Sequence, residues 1–372
     1  MKFTVNKEEF EKALIPVSII AQSKAADSTL SGIYVEAASG SVTLYCYDIE
    51  KGLRTGVPAV VESDGSIIAD AQIVSIVRSL PEGDVTFSVE SGNIIALSAG
   101  DAEFQVVGRD GDAYPKMPEI KGHTAFTVTK KQMKNLITKT FFSICKDDTK
   151  PILKGSHFVI KDNTLTVCAV DGFRFAVRKE SNAADNPGVD VSFVLPGRAE
   201  QNLLRLLDDS DDEINIELSN RHVVMSFDDM VLIVRLLEGE FPNYEKFIPE
   251  YTTAVTVNRD AFIESLERVA IVNEKMHSSA RLRFAEDKLR ISCETENGKV
   301  NDLIAVHMDG EPIEVLFNQN FLLDALRVCD NEAVCLHIAS GGRGTVICAT
   351  PEDEKKQPDS YYLYLVMPIR SR

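Results

Sequence analysis

Hydrophobic and polar residues follow two periods along this chain, and the switch from one to the other occurs three times in the same form. Phe3-Thr4-Val5-Asn6 alternates like a short strand, and Phe10, Ala13, Leu14 and Val17 then recur at helical spacing. Phe126-Thr127-Val128-Thr129 leads in the same way to Met133, Leu136, Ile137 and Phe141, and Val255-Thr256-Val257-Asn258 leads to an amphipathic run through Phe262 and Leu266. Period two predicts strand and spacings of three and four predict helix. Asn or Thr at each junction suits an N-cap, because its side-chain oxygen accepts from an orphan N–H of the first turn. Strand-then-helix therefore starts three times, about a third of the chain apart, and a repeat of that length is a whole domain.

The remainder of each third reads as strands around a second helix. In the first, Ser41 to Tyr47 alternates as a strand, and a helix is predicted over Asp70 to Leu80, stopped by Pro81 and Gly83. A meander follows over Val85–Val89, Ile94–Leu97 and Phe104–Val107, and Gly108 to Lys121 reads as a linker. In the second third the helix is predicted over Gly197 to Leu207, with strands at Ile214–Leu218, Val223–Phe227 and Met230–Leu237. In the last it spans Asn318 to Cys329, with strands at Ala333–Ile338, Thr345–Ala349 and Tyr361–Ile369, and Thr350 to Ser360 is expected to be a mobile charged loop. The fold class is thus α+β, three repeated domains of two helices and about six strands each, with boundaries expected at 1–121, 122–249 and 250–372. Gly111-Asp112-Ala113-Tyr114-Pro115 and Gly239-Glu240-Phe241-Pro242-Asn243-Tyr244 resemble each other at the two junctions, a second register for the same repeat.

Composition narrows the function. The longest apolar runs, such as Met230 to Val234, fall far short of the roughly 20 residues a membrane span needs, and the N-terminus has no basic-then-apolar export signal. Seven cysteines without Cys-x-x-Cys spacing read as buried free thiols in a reducing cytoplasm. A net charge of −17 argues against nucleic acid if taken whole, yet Lys121 to Lys150 holds seven lysines and two aspartates. Binding depends on where the positive groups lie, so a basic stripe on an acidic protein is allowed.

Motifs of catalysis are missing. No phosphate-cradling Gly-x-x-x-x-Gly-Lys loop and no Gly-x-Gly-x-x-Gly after a strand occurs, and no two histidines stand four apart on a helix. Gly341-Gly342-Arg343-Gly344 is better explained as a hairpin turn, and His307 and His337 as ordinary strand residues. The acidic run Asp208 to Glu213 could take a divalent cation, although its place after a helix fits a solvated turn better. No metal, cofactor or catalytic residue is assigned.

Several segments carry a more specific likeness: Met1-Lys2-Phe3-Thr4-Val5, Leu80-Pro81-Glu82-Gly83, Val170-Asp171-Gly172-Phe173-Arg174-Phe175-Ala176-Val177, Phe241-Pro242-Asn243-Tyr244-Glu245-Lys246-Phe247-Ile248-Pro249, Asn273-Glu274-Lys275 and Tyr364-Leu365-Val366-Met367-Pro368-Ile369-Arg370. In this order and over this length the chain resembles the bacterial DNA polymerase III beta subunits, the beta sliding clamps. The resemblance implies a DNA clamp fold, assembled head to tail as a homodimeric ring that encircles duplex DNA without reading its sequence. It also implies a non-catalytic role, a cytoplasmic location, and three kinds of protein partner: the replicative polymerase alpha subunit, the clamp loader, and other proteins with a clamp-binding motif.

The same resemblance implies sites. A peptide-binding cleft would be formed by Leu153, Gly172, Arg174, Phe175, Pro242, Lys246, Phe247, Phe321, Leu365, Met367, Pro368, Ile369 and Arg370. Apolar side chains and a pliable Met suit Leu and Phe anchors, with Arg and Lys for polar ends. Basic residues expected to face DNA are Lys24, Arg78, Lys134, Lys139, Lys146, Lys150, Arg198, Arg205, Lys275 and Arg327, while Ala71-Gln72 replaces an Arg-Lys common in the family. The ring interface would bring Phe104 and Val106 of one chain to Ile271 and Val272 of the next. Two other readings stay open: a triplicated scaffold that binds proteins only, and a hydrolase with a dispersed active site.

Overall fold

The computed structural model describes residues 1–21, 30–184, 186–272, 279–296, 298–356 and 360–369. It forms two compact units, one of residues 1–131 with 201–236 and the other of residues 132–200 with 237–372. The middle third of the sequence therefore contributes strands to both.

The first unit holds two antiparallel sheets. One has five strands in the order Val60–Ser63, Lys2–Asn6, Asp84–Glu90, Ile94–Ala99 and Ala102–Val107. The other has nine, in the order Arg109–Asp110, Gly65–Ala69, Ile33–Ala38, Ser41–Tyr47, Lys51–Pro58, Met230–Arg235, His222–Phe227, Glu213–Leu218 and Thr124–Thr129. The helix Lys7–Ile20 starts where the pattern places it, with the Asn6 side chain accepting from the N–H groups of Glu8 and Glu9. It buries Phe10, Ala13, Leu14 and Val17. Phe10 meets Phe3 and Phe87 edge-on, and those two rings stack 4.8 Å apart. Each such buried side chain contributes about 1.5–3 kcal/mol.

In the second unit, a nine-stranded sheet runs Val191–Pro196, Gly155–Lys161, Thr164–Val170, Arg174–Ser181, Ser360–Val366, Thr345–Ala349, Ala333–Ile338, Thr253–Asn258 and His307–Gly310. A four-stranded one runs Gly298–Ala305, Lys288–Thr295, Ser279–Ala285 and Ile313–Asn318. The helices Arg259–Ala270 and Gln319–Val328 are capped by Asn258 and Asn318. They share one core with Phe262, Leu266, Leu322, Leu326 and Phe317.

Several expectations need correction. Among the described residues the thirds carry ten, eight and nine strands, more than six, because short pairs such as Val60–Ser63 and His307–Gly310 carry too little pattern to be seen. The helix expected from Asp70 begins at Ile73, since the Asp70 carboxylate accepts from Gln72 N–H and holds a turn there. The segment from Gly108 is not a bare linker. Arg109–Asp110 pairs with Ile67 and Ile68, and Tyr114 is buried against Tyr34 and Tyr45, its hydroxyl accepting from Tyr47 N–H. The charged stretch after Thr350 is a helix, Pro351–Lys356. Thr350 Oγ1 accepts from Asp353 N–H, proline stands first, acids fill the first turn and lysines the last, so every local preference agrees. The last strand ends at Val366; beyond it Met367 N–H donates to the Phe173 carbonyl and Ile369 N–H to that of Leu316. All seven cysteines are free and buried, and among the described residues no helix is long and apolar enough to cross a membrane. The glycine run at 341–342 turns between two paired strands with both residues at positive φ, a conformation that glycine takes without strain.

Candidate functional site

Twelve of the thirteen expected cleft residues are described, and all twelve fall in the second unit; Arg370 lies outside the described residues. Strands Arg174–Ser181 and Ser360–Val366 pair so that Phe175 faces Leu365 and Arg174 faces Val366. Phe175 and Leu365 are buried in a cluster with Cys168, Val177, Val346 and Leu363. Both lie beneath the surface, and Leu153 is likewise buried, in the short turn of helix Pro151–Lys154.

The exposed apolar surface stands on the segments that leave this buried cluster. Phe173 is 64% exposed, Phe247 60%, Ile369 41%, Ile248 39% and Met367 38%, far above the core values. Phe173 and Met367 are tied by the backbone bond between them, and Pro368 and Ile369 continue from there. Phe247 is delivered by the turn Tyr244–Phe247, which Asn243 caps by accepting from Glu245 N–H. Tyr244 fastens that turn by packing its ring 5.7 Å from Phe175. Pro242 and the exposed Lys246 flank it. Tyr244 here and Tyr114 in the first unit thus anchor the two repeated junction motifs.

Arg174 is held within the protein itself. Its guanidinium donates to Asp171 at 2.9 Å, to Asp324 at 2.7 Å and to the Phe142 carbonyl at 2.7 Å, and lies 4.2 Å from the Phe321 ring centre. Each of its three nitrogens makes a bond inside the protein, so it clasps the strand to the helix Gln319–Val328 and to Phe142. Asp171 also accepts from Phe173 and Arg174 N–H, and Gly172 between them has φ +95°, a conformation that favours glycine. Phe142, Asp171, Phe173, Tyr244, Ile248 and Asp324 were not among the expected site residues. Phe173 was legible as an aromatic next to Gly172; Asp324 was not, since a carboxylate on a helix looks like any solvated one.

The basic residues divide. Lys24 and Lys275 lie outside the described residues. Arg78, Lys146, Lys150, Arg198, Arg205 and Arg327 are exposed and Lys134 is half-exposed. Arg78 donates to Glu11 at 2.9 Å and Arg327 to Glu267 at 2.7 Å, exposed pairs worth at most about 1 kcal/mol and readily exchanged for phosphate. Lys139 departs from expectation. It is largely covered and held by Asp330 and by the Val328 carbonyl, so a phosphate would have to displace both.

Two members of the acidic run face Lys130, whose buried ammonium reaches Asp228 at 2.7 Å, Asp212 at 3.4 Å and Asp208 at 3.7 Å. Burial pulls this lysine's pKa down, but the surrounding carboxylates outweigh it and raise the pKa. A fixed protein cation already occupies the place a divalent ion would take.

Two sheet edges carry the residues expected at a ring interface. Phe104 and Val106 lie on Ala102–Val107, the edge strand of the five-stranded sheet, with the neighbouring Val107 76% exposed. Ile271, 83% exposed, and Val272 follow the helix Arg259–Ala270. Thr295 Oγ1 donates to the Val272 carbonyl, which places this corner beside the edge strand Gly298–Ala305 of the four-stranded sheet.

Residues 1–118, 127–243 and 245–370 match, in turn, the N-terminal, central and C-terminal domains of the DNA polymerase III beta subunit. The chain is 28% identical to the beta sliding clamp of Halalkalibacterium halodurans and 27% identical to that of Bacillus subtilis, each over 100% of both chains. It is similar in structure to the DNA polymerase sliding clamp from Bacillus subtilis, with a TM-score of 0.93 at 26% identity and 100% coverage of both chains. The DNA polymerase III beta subunit from Thermotoga maritima gives a TM-score of 0.90 at 25% identity, again over 100% of both.

Proposed function

The chain belongs to the bacterial DNA polymerase III beta subunit family, the beta sliding clamps, and on that premise we propose how its own residues do a clamp's work. It is a DNA sliding clamp with three clamp domains and no catalytic role of its own. Two chains join head to tail in a ring around duplex DNA, in the cytoplasm, and the ring tethers the replicative polymerase. We place its domain boundaries at 1–121, 122–249 and 250–372. A ring that holds DNA by topology needs little direct affinity, which suits a net charge of −17. Exposed Arg78, Lys146, Lys150, Arg198, Arg205 and Arg327, with Lys134, would meet phosphates alone, giving binding that is salt-sensitive and sequence-independent. Lys139 is left out of that set.

The observation that carries the partner reading is the apolar surface of Phe173, Phe247, Ile248, Met367 and Ile369 over a buried floor. Short peptides with Leu and Phe anchors, from the polymerase, the loader and other motif-bearing proteins, would seat there.

For closure, the edge strand Ala102–Val107 would add to the edge Gly298–Ala305 of the next chain, with Phe104 and Val106 against Ile271 and Val272. Such pairing satisfies two rows of open backbone groups. Light scattering across micromolar-to-nanomolar dilution is expected to give twice the chain mass of 41.1 kDa. Ile271→Asp is expected to halve it without unfolding the chain, because that side chain is exposed. A wild-type monomer at every concentration would remove encirclement and leave the protein-only scaffold. Retention on DNA is the second test: after loading by an ATP-driven loader, the protein should stay on nicked circular DNA and slide off once the circle is cut. Equal retention on both forms would refute topological linkage.

A further inference from the structure

Three metal-ligating donor atoms meet in the second unit, in the buried cluster beneath the apolar surface, and the clamp function gives them no role. Cys335 on strand Ala333–Ile338 and Cys348 on Thr345–Ala349 are direct partners across the sheet. His337 is two residues on from Cys335 and so projects from the same face. The two sulfurs and a ring nitrogen of His337 all lie within 4.8 Å of one another, and Cys348 Sγ is 3.9 Å from His337 Nδ1. Bonds of about 2.3 Å to sulfur and 2.0 Å to nitrogen put two donors of one metal roughly 3.5–3.8 Å apart; the Cys348–His337 pair stands within a few tenths of an ångström of that, and drawing the other pairs in by roughly an ångström at most completes a coordination shell.

The surroundings fit a soft cation. Both thiols are buried, in the cluster that also holds Cys168, Phe175, Val346 and Leu365, which offers thiolates no compensating charge. His337 is half-buried and stacks its ring 4.0 Å from the exposed ring of Tyr251, so the site is dry on the sulfur side and reachable on the imidazole side. We propose that Cys335, His337 and Cys348 form a binding site for a soft closed-shell metal ion, Cu⁺ in three-coordinate form or Zn²⁺ with its fourth position open. Two thiolates and an imidazole select such ions over Mg²⁺ or Ca²⁺, which prefer oxygen. Bound metal would staple two strands of the sheet and stabilise the unit that carries the apolar cleft.

The test uses the full chain, reduced and stripped by a chelator. Titration with Co²⁺ is expected to raise a thiolate-to-cobalt charge-transfer band saturating at one equivalent per chain, which Zn²⁺ abolishes. Competition against a chromophoric Cu⁺ chelator reads the other ion, and the tighter of the two identifies the occupant. C335S and C348S should lose the band, C46S should keep it, and H337N should weaken binding by about tenfold or more. Unfolding in wild type should shift to higher temperature with metal. Should the cysteine variants fail to fold, H337N decides, because its side chain is half-exposed. No band and no competition, binding unchanged in H337N, or a Cys335–Cys348 disulfide forming in place of metal uptake would each overturn the proposal.

Discussion

Replacing Arg174 by alanine is expected to destabilise the second unit by about 2–4 kcal/mol and to weaken capture of a Leu- and Phe-anchored peptide by about a hundredfold or more. The arginine side chain is 10% exposed, and its removal takes the guanidinium from Asp324, from the Phe142 carbonyl and from Asp171, which keeps only its two backbone donors, while Phe321 loses its stacked cation. Breaking a buried pair by deleting one partner costs more than the pair is worth, because the other charge stays behind unpaired. Asp324 is more than a third exposed and recovers some water, which keeps the figure below the upper end of that range. R174K should be intermediate, since an ammonium keeps the charge but cannot reach three acceptors at once. Chemical denaturation followed by circular dichroism and titration of a labelled peptide check the two effects. The exposed Phe247 separates them: F247A should weaken the peptide with unfolding unchanged. Peptide affinity in R174A within twofold of wild type would refute the clasp.

The second large effect concerns Glu200. Its carboxyl is fully buried on helix Gly197–Leu206, with Ser156 N–H and Ser156 Oγ donating to its two oxygens at 2.9 Å each. Burial outweighs those bonds and pushes its pKa up to about 8 from 4.5. Between these values the unfolded chain has released a proton that the folded chain still holds. Unfolding is therefore favoured as pH rises through that window, by up to about 1.4 kcal/mol per pH unit. Wild type should lose a few kcal/mol between pH 5 and pH 8. E200Q, neutral throughout and able to keep both Ser156 contacts, should match wild type near pH 5 and exceed it by about 2–4 kcal/mol at pH 8. Parallel pH profiles for the two proteins would show that Glu200 ionises freely in the fold.

Hydrophobic period and capping chemistry are local, and what is local could be read without a structure. The helices starting after Asn6 and Asn258, the hairpin at Gly341-Gly342 and the strand Ser41–Tyr47 all follow from neighbours within a few residues. The triplication, the absence of a phosphate loop and the family likeness belong to the same class, because they are properties of order along the chain. The helix Pro351–Lys356 was also local, and its Thr-Pro cap was there to be read; the density of charge concealed it. What the tertiary structure alone decided are the matters of pairing between distant residues. Arg174 is a clasp because the helix Gln319–Val328 brings Asp324 to its strand, and Lys139 is spent because Asp330 is beside it. Lys130 pairs with Asp208 and Asp212, more than seventy positions along the sequence, and Cys335 and Cys348 become neighbours only through strand register. Charge and thiol chemistry depend on distance in space, to which sequence separation is blind, whereas helix and turn formation depend on backbone groups three or four residues apart.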